Sequence, residues 1–337
     1  MVRDLLHRPI RDLRISITDR CNFRCTYCMP FDDYPWTPSD ECLTFEEITR
    51  VVRVFAGLGV EKIRLTGGEP LLRARVEDLV SSLAAIEGID AVCLTTNGSL
   101  LADKAEALKQ AGLSRINVSL DTLDSEKFAR IRRRGDLGKV LQGIAAAQEA
   151  GLSPIKLNAV IQRGVNDDDI IPLVDFARTN GLAIRFIEFM DVGNANGWRL
   201  EKVVSKREIL QVIDAHVPLI EVGRDKGSAP SVDYRFADGT GDVGVIASVT
   251  EPFCSTCTRA RLTADGKLVT CLFSNTGYSV KALLRGGATD EEVTQAISAT
   301  WSKRIDRFSL DRLEALNSGS GYEPAQHQKI EMITLGG

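Results

Sequence analysis

The chain has 337 residues, of which 44% are apolar and 26% charged, with a formal net charge of −4. It holds enough apolar residues for a sizeable core, and its acidic balance argues against non-specific nucleic-acid binding. No apolar run reaches the ~18 residues of a membrane span, and the charged stretch Met1–Arg14 lacks the apolar core of a secretion signal. A cytoplasmic location is therefore expected. There the eight cysteines stay reduced, and clustered ones read as metal ligands or catalytic groups. Three histidines, His7, His216 and His327, offer little to a histidine-rich zinc site.

The first predicted strand, Leu13–Thr18, leads directly into Cys21, Cys25 and Cys28, a C-x3-C-x2-C triad. Three thiolates can hold three corners of a four-iron cluster and leave the fourth iron open for a substrate or cofactor. Structural zinc is the alternative, although it wants four ligands. A loop leaving the C-terminal end of a parallel strand is where barrel active sites sit. Strands at Lys62–Thr66, Ala91–Thr96, Arg115–Leu120, Ile155–Ile161 and Ile184–Phe189 follow, with helical patterns at Thr44–Leu58, Arg75–Ile86, Ala102–Ala111, Leu137–Ala150 and Asp169–Thr179. Gly151 and Gly181 mark two helix ends. This alternation predicts right-handed βαβ units and a parallel sheet, about six units instead of the eight of a full barrel.

Within this half, Gly67-Gly68-Glu69-Pro70 follows the second strand, and its glycines allow close backbone approach. Ser119, at the end of the fourth strand, reads either as a ligand contact or as a serine satisfied by backbone. Lys156, inside a strand, hints at an anion partner, whereas Met190 alone reads as core. The run Arg132-Arg133-Arg134 reads as a solvated face.

After Met190 the pattern changes. Gly193–Trp198 reads as a loop and Lys206–His216 as a helix. Val217–Leu272 reads as hairpins turning at Ala237-Asp238-Gly239 and Ala264-Asp265-Gly266. Helices follow at Val280–Arg285 and Asp290–Arg304, then a polar tail from Gly319 to Gly336-Gly337. A second triad lies here, Cys254, Cys257 and Cys271, suited to a second open-iron cluster or to a zinc ribbon completed by a distant residue. Arg259 and Arg261, at alternate positions of an extended segment, project to one side as a fork for phosphate oxygens or as a solvated pair. Cys42 and Cys93 fit neither triad.

The C-x3-C-x2-C motif with Tyr27 before its last cysteine, followed by Gly67-Gly68-Glu69-Pro70, resembles the radical S-adenosylmethionine superfamily. The segments Arg8–Arg14, Phe186–Gly193, Cys254–Arg261 and the terminal Gly336-Gly337 narrow the resemblance, across essentially the whole chain, to the GTP 3′,8-cyclase family of molybdenum-cofactor biosynthesis. The resemblance implies an α/β fold, an incomplete (β/α)6 barrel over residues 1–190, closed by a C-terminal region over 191–337 that carries the second cluster. It implies two [4Fe-4S] clusters, on Cys21, Cys25 and Cys28 and on Cys254, Cys257 and Cys271. S-adenosylmethionine would be bound by Tyr27, Gly68, Ser119 and Met190, and GTP by Arg14, Arg64, Thr95, Lys156, Arg259 and Arg261. The first cluster would reduce S-adenosylmethionine to a 5′-deoxyadenosyl radical that takes the hydrogen at C3′ of GTP. C3′ would then bond to C8, giving 3′,8-cyclo-7,8-dihydro-GTP, with guanine held at the open iron of the second cluster. A reducing electron donor, delivery of product to cyclic pyranopterin monophosphate synthase, and a monomeric or homodimeric state are also implied. No residue is assigned as acid or base. Two other classes remain: a two-cluster radical enzyme that modifies a peptide or matures another enzyme, for which the arginine fork has no reason to exist, and a zinc-binding adaptor.

Overall fold

The computed structural model describes residues 2–318 and 322–336. The first half runs β1 (Asp12–Ser16), α1 (Phe45–Gly57), β2 (Lys62–Thr66), α2 (Val76–Ala84), β3 (Ala91–Thr96), α3 (Ala105–Gln110), β4 (Arg115–Ser119), α4 (Ser125–Arg132), α5 (Leu137–Glu149), β5 (Ile155–Ile161), α6 (Ile170–Thr179) and β6 (Ala183–Glu188). The second half runs α7 (Lys206–His216), β7 (Leu219–Gly223), β8 (Val232–Phe236), β9 (Asp242–Ile246), β10 (Arg259–Leu262), β11 (Lys267–Val269), β12 (Tyr278–Ser279), α8 (Val280–Arg285), α9 (Asp290–Ser302), α10 (Phe308–Asn317) and α11 (Met332–Leu335). No helix among the described residues is long and apolar enough to cross a membrane.

Side-chain chemistry sets these boundaries. Thr44, Ser205 and Thr289 each accept from the backbone amide three residues on, and Glu47, Glu208 and Glu292 return the bond, so α1, α7 and α9 start on capping boxes. Gly151 and Gly181 end α5 and α6 with φ of 71° and 63°, a conformation that costs glycine little. Along β5 buried and half-buried residues alternate. Leu157, Ala159 and Ile161 therefore face the helices, while Lys156, Asn158 and Val160 face a cavity on the other side of the sheet.

Among the described residues all twelve strands form one mixed sheet, in the order β12-β11-β10-β1-β2-β3-β4-β5-β6-β9-β8-β7. The six parallel strands expected from periodicity are its centre. The two expected hairpins form at Gly239 and Gly266, joining β8 to β9 and β10 to β11. They lie at opposite ends of the sheet. β9 extends it in parallel beyond β6, and β10 in parallel beyond β1. The terminal strands β12 and β7 are not paired with each other, so the sheet does not close through hydrogen bonds. The apolar core fills the space between sheet and helices, with Leu13, Ile15, Leu65, Leu94 and Ile116 packing against Val51, Phe55, Val80 and Leu108.

Candidate active site

The first cysteine loop leaves the C-terminal end of β1. Its last turn is helical in character, because the amides of Cys28 and Met29 both donate to the Cys25 carbonyl, at 3.0 and 2.8 Å. The loop is pinned from two sides. Arg24 and Thr26 donate amide bonds to the carbonyls of Arg132 and Ile131, at 3.0 and 2.9 Å. On the other side Gly68 and Glu69 donate to the carbonyls of Thr18 and Arg20, at 2.7 and 2.8 Å. A Cβ on Gly67 or Gly68 would stand 2.2 Å from one of those same two oxygens. The two glycines thus seat the cysteine loop on the turn after β2. Glu69, fully buried, accepts from Leu71 N, Thr96 Oγ1 and Asn97 N at 3.0, 2.7 and 2.7 Å. Burial still pushes its carboxyl up to about 7.

The basic run beside this loop departs from the solvated reading. Arg133 and Arg134 are exposed, but Arg132 is 3% exposed. Its Nη1 donates to Cys25 Sγ at 3.0 Å and its Nη2 pairs with Asp121 at 2.9 Å. The guanidinium lies 5.6 Å from the Tyr27 ring centroid, and the Tyr27 hydroxyl donates to Asp121 Oδ2 at 2.8 Å. The signal for Arg132 was its place beside Phe128 and Ile131 on the buried face of α4. Burial raises the thiol pKa of Cys25, against the pull of Arg132. Burial also pushes Cys21 up to about 12, with Cys25 adding to it, and lifts Cys28 well above the usual thiol range. Three thiols of this kind, one buried and two half-buried, keep their protons unless a metal's charge displaces them, which suits ligands.

The second triad lies at the other end of β1. Cys254 and Cys257 precede β10, whose Arg259 is in register with Asp12 at the start of β1. Cys271 follows β11, which returns antiparallel to the same end. The two triads are thus a strand apart, five residues at about 3.3 Å each. Arg304 donates to Cys257 Sγ at 3.2 Å and to its carbonyl at 2.9 Å. Burial works to raise the Cys257 thiol, but Arg259 and Arg304 outweigh it and bring the group down to about 6. Burial, with Asp306 next, pushes Cys271 up to about 12. Cys93 is buried inside β3 and Cys42 lies in a loop, and neither joins a triad.

One cavity of about 590 Å³ connects the two ends, and all six triad cysteines line it. Among the described residues no three histidine, cysteine, aspartate or glutamate side chains gather closely enough for a single ion. Three thiols in each triad are the donor set of a four-iron cluster with one iron left open, whereas structural zinc wants a fourth ligand. Between the triads the cavity wall is cationic. Arg14 of β1 is in register with Arg64 on one side and Arg261 on the other. Burial, then Arg261, Arg64 and Arg259, hold the Arg14 pKa well below its usual value. Arg261 is brought down to about 10 by burial and Arg259, and Lys156 to about 8 by burial and Arg185. Arg259 Nη1 is buried without a hydrogen-bond partner. Such a row of half-buried to buried, mutually repelling cations can receive a polyanion.

Every residue the sequence assigned to a ligand lines this cavity: Tyr27, Gly68, Ser119 and Met190, and Arg14, Arg64, Thr95, Lys156, Arg259 and Arg261. Arg14, Arg64 and Thr95 sit within their strands, between the two triads. The cavity also takes in Arg185 and Arg304, which the sequence reading passed over, and Arg132, which it read as part of a solvated face. The tail reaches the cavity too. Arg261 Nη1 donates to the carbonyls of Leu335 and Gly336 at 3.2 and 2.6 Å, and a Cβ on Gly336 would stand 2.4 Å from Thr66 Cγ2. Gly337 lies outside the described residues.

Residues 15–177 match the Radical SAM superfamily, and residues 182–310 match Molybdenum Cofactor Synthesis C. The chain is 48% identical over 360 residues to a GTP 3′,8-cyclase of Acidothermus cellulolyticus, covering 100% of this chain and 99% of that one. It is 47% identical over 342 residues to a GTP 3′,8-cyclase of Staphylococcus haemolyticus, with the same coverage. In fold it resembles SuiB of Streptococcus suis, solved with bound S-adenosylmethionine, at a TM-score of 0.61 and 17% identity over 97% of this chain and 77% of that one. It also resembles methylornithine synthase (PylB), at a TM-score of 0.54 and 16% identity over 91% and 86%. With full-length identity near one half to these relatives, and a radical S-adenosylmethionine segment followed by a molybdenum-cofactor-synthesis segment, the chain belongs to the GTP 3′,8-cyclase family.

Proposed function

We propose that this chain converts GTP to 3′,8-cyclo-7,8-dihydro-GTP, the first step of molybdenum-cofactor biosynthesis. The observation that carries the reading is one cavity with a cysteine triad at each end and, between them, a row of arginines and a lysine, of which Arg261 is buried and the others half-buried. On this reading residues 1–190 act as an incomplete (β/α)6 barrel, and residues 191–337 carry the second cluster and the tail. Cys21, Cys25 and Cys28 would hold a [4Fe-4S] cluster, which would supply the electron that splits S-adenosylmethionine, and Cys254, Cys257 and Cys271 would hold a second, with an open iron for the guanine. Tyr27, Gly68, Ser119 and Met190 hold S-adenosylmethionine beside the first triad. Arg14, Arg64, Thr95, Lys156, Arg259 and Arg261 hold the GTP so that its ribose lies between the ends. The cavity wall keeps water from the reacting carbon. A cytoplasmic setting, an external low-potential electron donor and hand-over to cyclic pyranopterin monophosphate synthase complete the proposal, for a monomer or homodimer.

Anaerobic reconstitution tests it. About eight irons per chain are expected. With S-adenosylmethionine, GTP and dithionite, 5′-deoxyadenosine and the cyclised nucleotide should appear together in chromatography and mass spectrometry. Eight irons without cyclised product would refute the substrate, and zinc in place of iron would refute the mechanism.

Lys156 makes GTP affinity pH-dependent. Its ammonium, depressed to about 8 by burial and Arg185, is charged below that pH in the free protein. A triphosphate beside it favours the charged form, so binding above pH 8 must take up a proton. Affinity should be flat below about pH 8 and fall by up to about tenfold per unit above it. Calorimetric titration across that range checks this, and Lys156→Met should remove the slope.

Deleting Gly336 and Gly337 should leave both clusters and GTP binding in place but cut cyclisation by about tenfold or more, since the tail packs on Arg261 and Thr66. Product formation at the intact rate would return the tail to a frayed end.

A further inference from the structure

Each cysteine triad carries one buried arginine that donates a hydrogen bond to a cysteine sulfur. At the β1 C-terminal end this is Arg132 on Cys25, at 3.0 Å, and at the opposite end it is Arg304 on Cys257, at 3.2 Å. The two arginines lie on different elements, far apart in sequence, yet share one construction. Arg132 and Arg304 are 3% and 4% exposed. Each guanidinium is oriented by a buried carboxylate, Asp121 at 2.9 Å for Arg132 and Asp4 at 3.2 Å for Arg304. Each rests on an aromatic ring, Tyr27 at 5.6 Å and Trp301 at 4.5 Å. Each carboxylate is itself held, since Asp121 accepts from the Tyr27 hydroxyl and Asp4 from Arg8 Nε, at 2.8 and 2.6 Å. A guanidinium fixed by partners on several sides cannot turn away from the sulfur.

A fixed, charge-assisted N–H on a ligating sulfur acts on the redox equilibrium of whatever iron that sulfur holds. Taking up one electron makes the cluster and its thiolates more negative. The hydrogen bond and the nearby positive charge then stabilise the reduced form more than the oxidised form, so the potential rises. Within a cavity shielded from water the effect is screened little.

We propose that Arg132 and Arg304 are paired positioning residues that each raise the reduction potential of one iron–sulfur cluster, Arg132 the one on Cys21, Cys25 and Cys28, and Arg304 the one on Cys254, Cys257 and Cys271. The inference rests on the assignment of clusters to the two triads. Its distinctive content is selectivity: each arginine governs its own end of the cavity and leaves the other alone.

The test is a potentiometric titration with dithionite, followed by electron paramagnetic resonance, in chains that keep one cluster each. Cys271→Ala isolates the first site and Cys25→Ala the second. Arg132→Met should lower the first midpoint by the equivalent of about a tenfold change in the reduction equilibrium, or about 59 mV for one electron, and leave the second unchanged. Arg304→Met should do the reverse, and lysine at either position should restore part of the loss. Potentials that stay put, or that both move for either substitution, overturn the proposal. A second measurement needs no substitution at the arginines. In protein labelled with 15N-arginine, electron–nuclear double resonance of each reduced cluster should show a coupled guanidinium nitrogen. Clusters present by iron and sulfide analysis with no such coupling defeat this inference alone, whereas triads that hold no cluster defeat the assignment beneath it.

Discussion

Cys25→Ala is expected to leave a folded chain that makes no detectable 5′-deoxyadenosine. Cys25 is the buried member of its triad, and its loss removes one of the three proposed ligands at the C-terminal end of β1. The fold should tolerate it. The loop carrying Cys25 is fastened by the Cys28 and Met29 amides on the Cys25 carbonyl and by the Arg24 and Thr26 amides on α4, none of which uses the sulfur. Losing one buried sulfhydryl group costs about 1–2 kcal/mol of packing. The unpaired Nη1 of Arg132 adds to that, though Asp121 still neutralises its charge. The readouts are chromatography for 5′-deoxyadenosine, iron analysis falling to about four per chain, and a circular-dichroism melt. Continued cleavage of S-adenosylmethionine would move the reducing site away from β1.

Cys271→Ala should separate the two halves of the reaction. The first triad is a strand's length away, at the other end of β1, so some S-adenosylmethionine cleavage should persist. Cyclised product should fall by about a hundredfold or more, the order expected when a reacting centre is misplaced by about an ångström. On the proposed assignment, a distal site without its third ligand would no longer fix the base, and the arginine row alone would hold GTP by its phosphates. Cleavage without cyclisation is therefore the signature, read as the ratio of 5′-deoxyadenosine to cyclised nucleotide. An unchanged ratio would exclude the distal site from substrate positioning.

Local chemistry made much of this molecule readable. Six strands with helices between them follow from hydrophobic period, and α1, α7 and α9 from their capping residues. The triads stood out because cysteine is rare and its spacing carries ligand geometry. Pairing across large sequence separations was not readable in the same way. The hairpin that contains β8 and β9 and the hairpin that contains β10 and β11 look alike as sequence. They join opposite ends of the sheet because β9 finds β6 and β10 finds β1. Arg132 was hidden for a related reason. In a run of three arginines charge dominates the reading, and only the place of Arg132 beside Phe128 and Ile131 on α4 turns it inward, to a carboxylate 11 positions earlier and a sulfur 107 positions away.

β1 works as a ruler. It is five residues long, hydrogen-bonded in parallel on both sides, to β2 and to β10, and it has a cysteine triad at each end. The spacing between the triads is therefore set by residue count and not by loops that can breathe. Neighbouring strands hold that count in register, Arg14 opposite both Arg64 and Arg261. Adding one residue to β1 would lengthen the gap by about 3.3 Å and, because side chains alternate, would also turn Arg14 from the cavity into the apolar core. Span and chemistry are thus locked to each other, and an evolving chain cannot retune the distance between its two ends in single-residue steps without moving the charge as well.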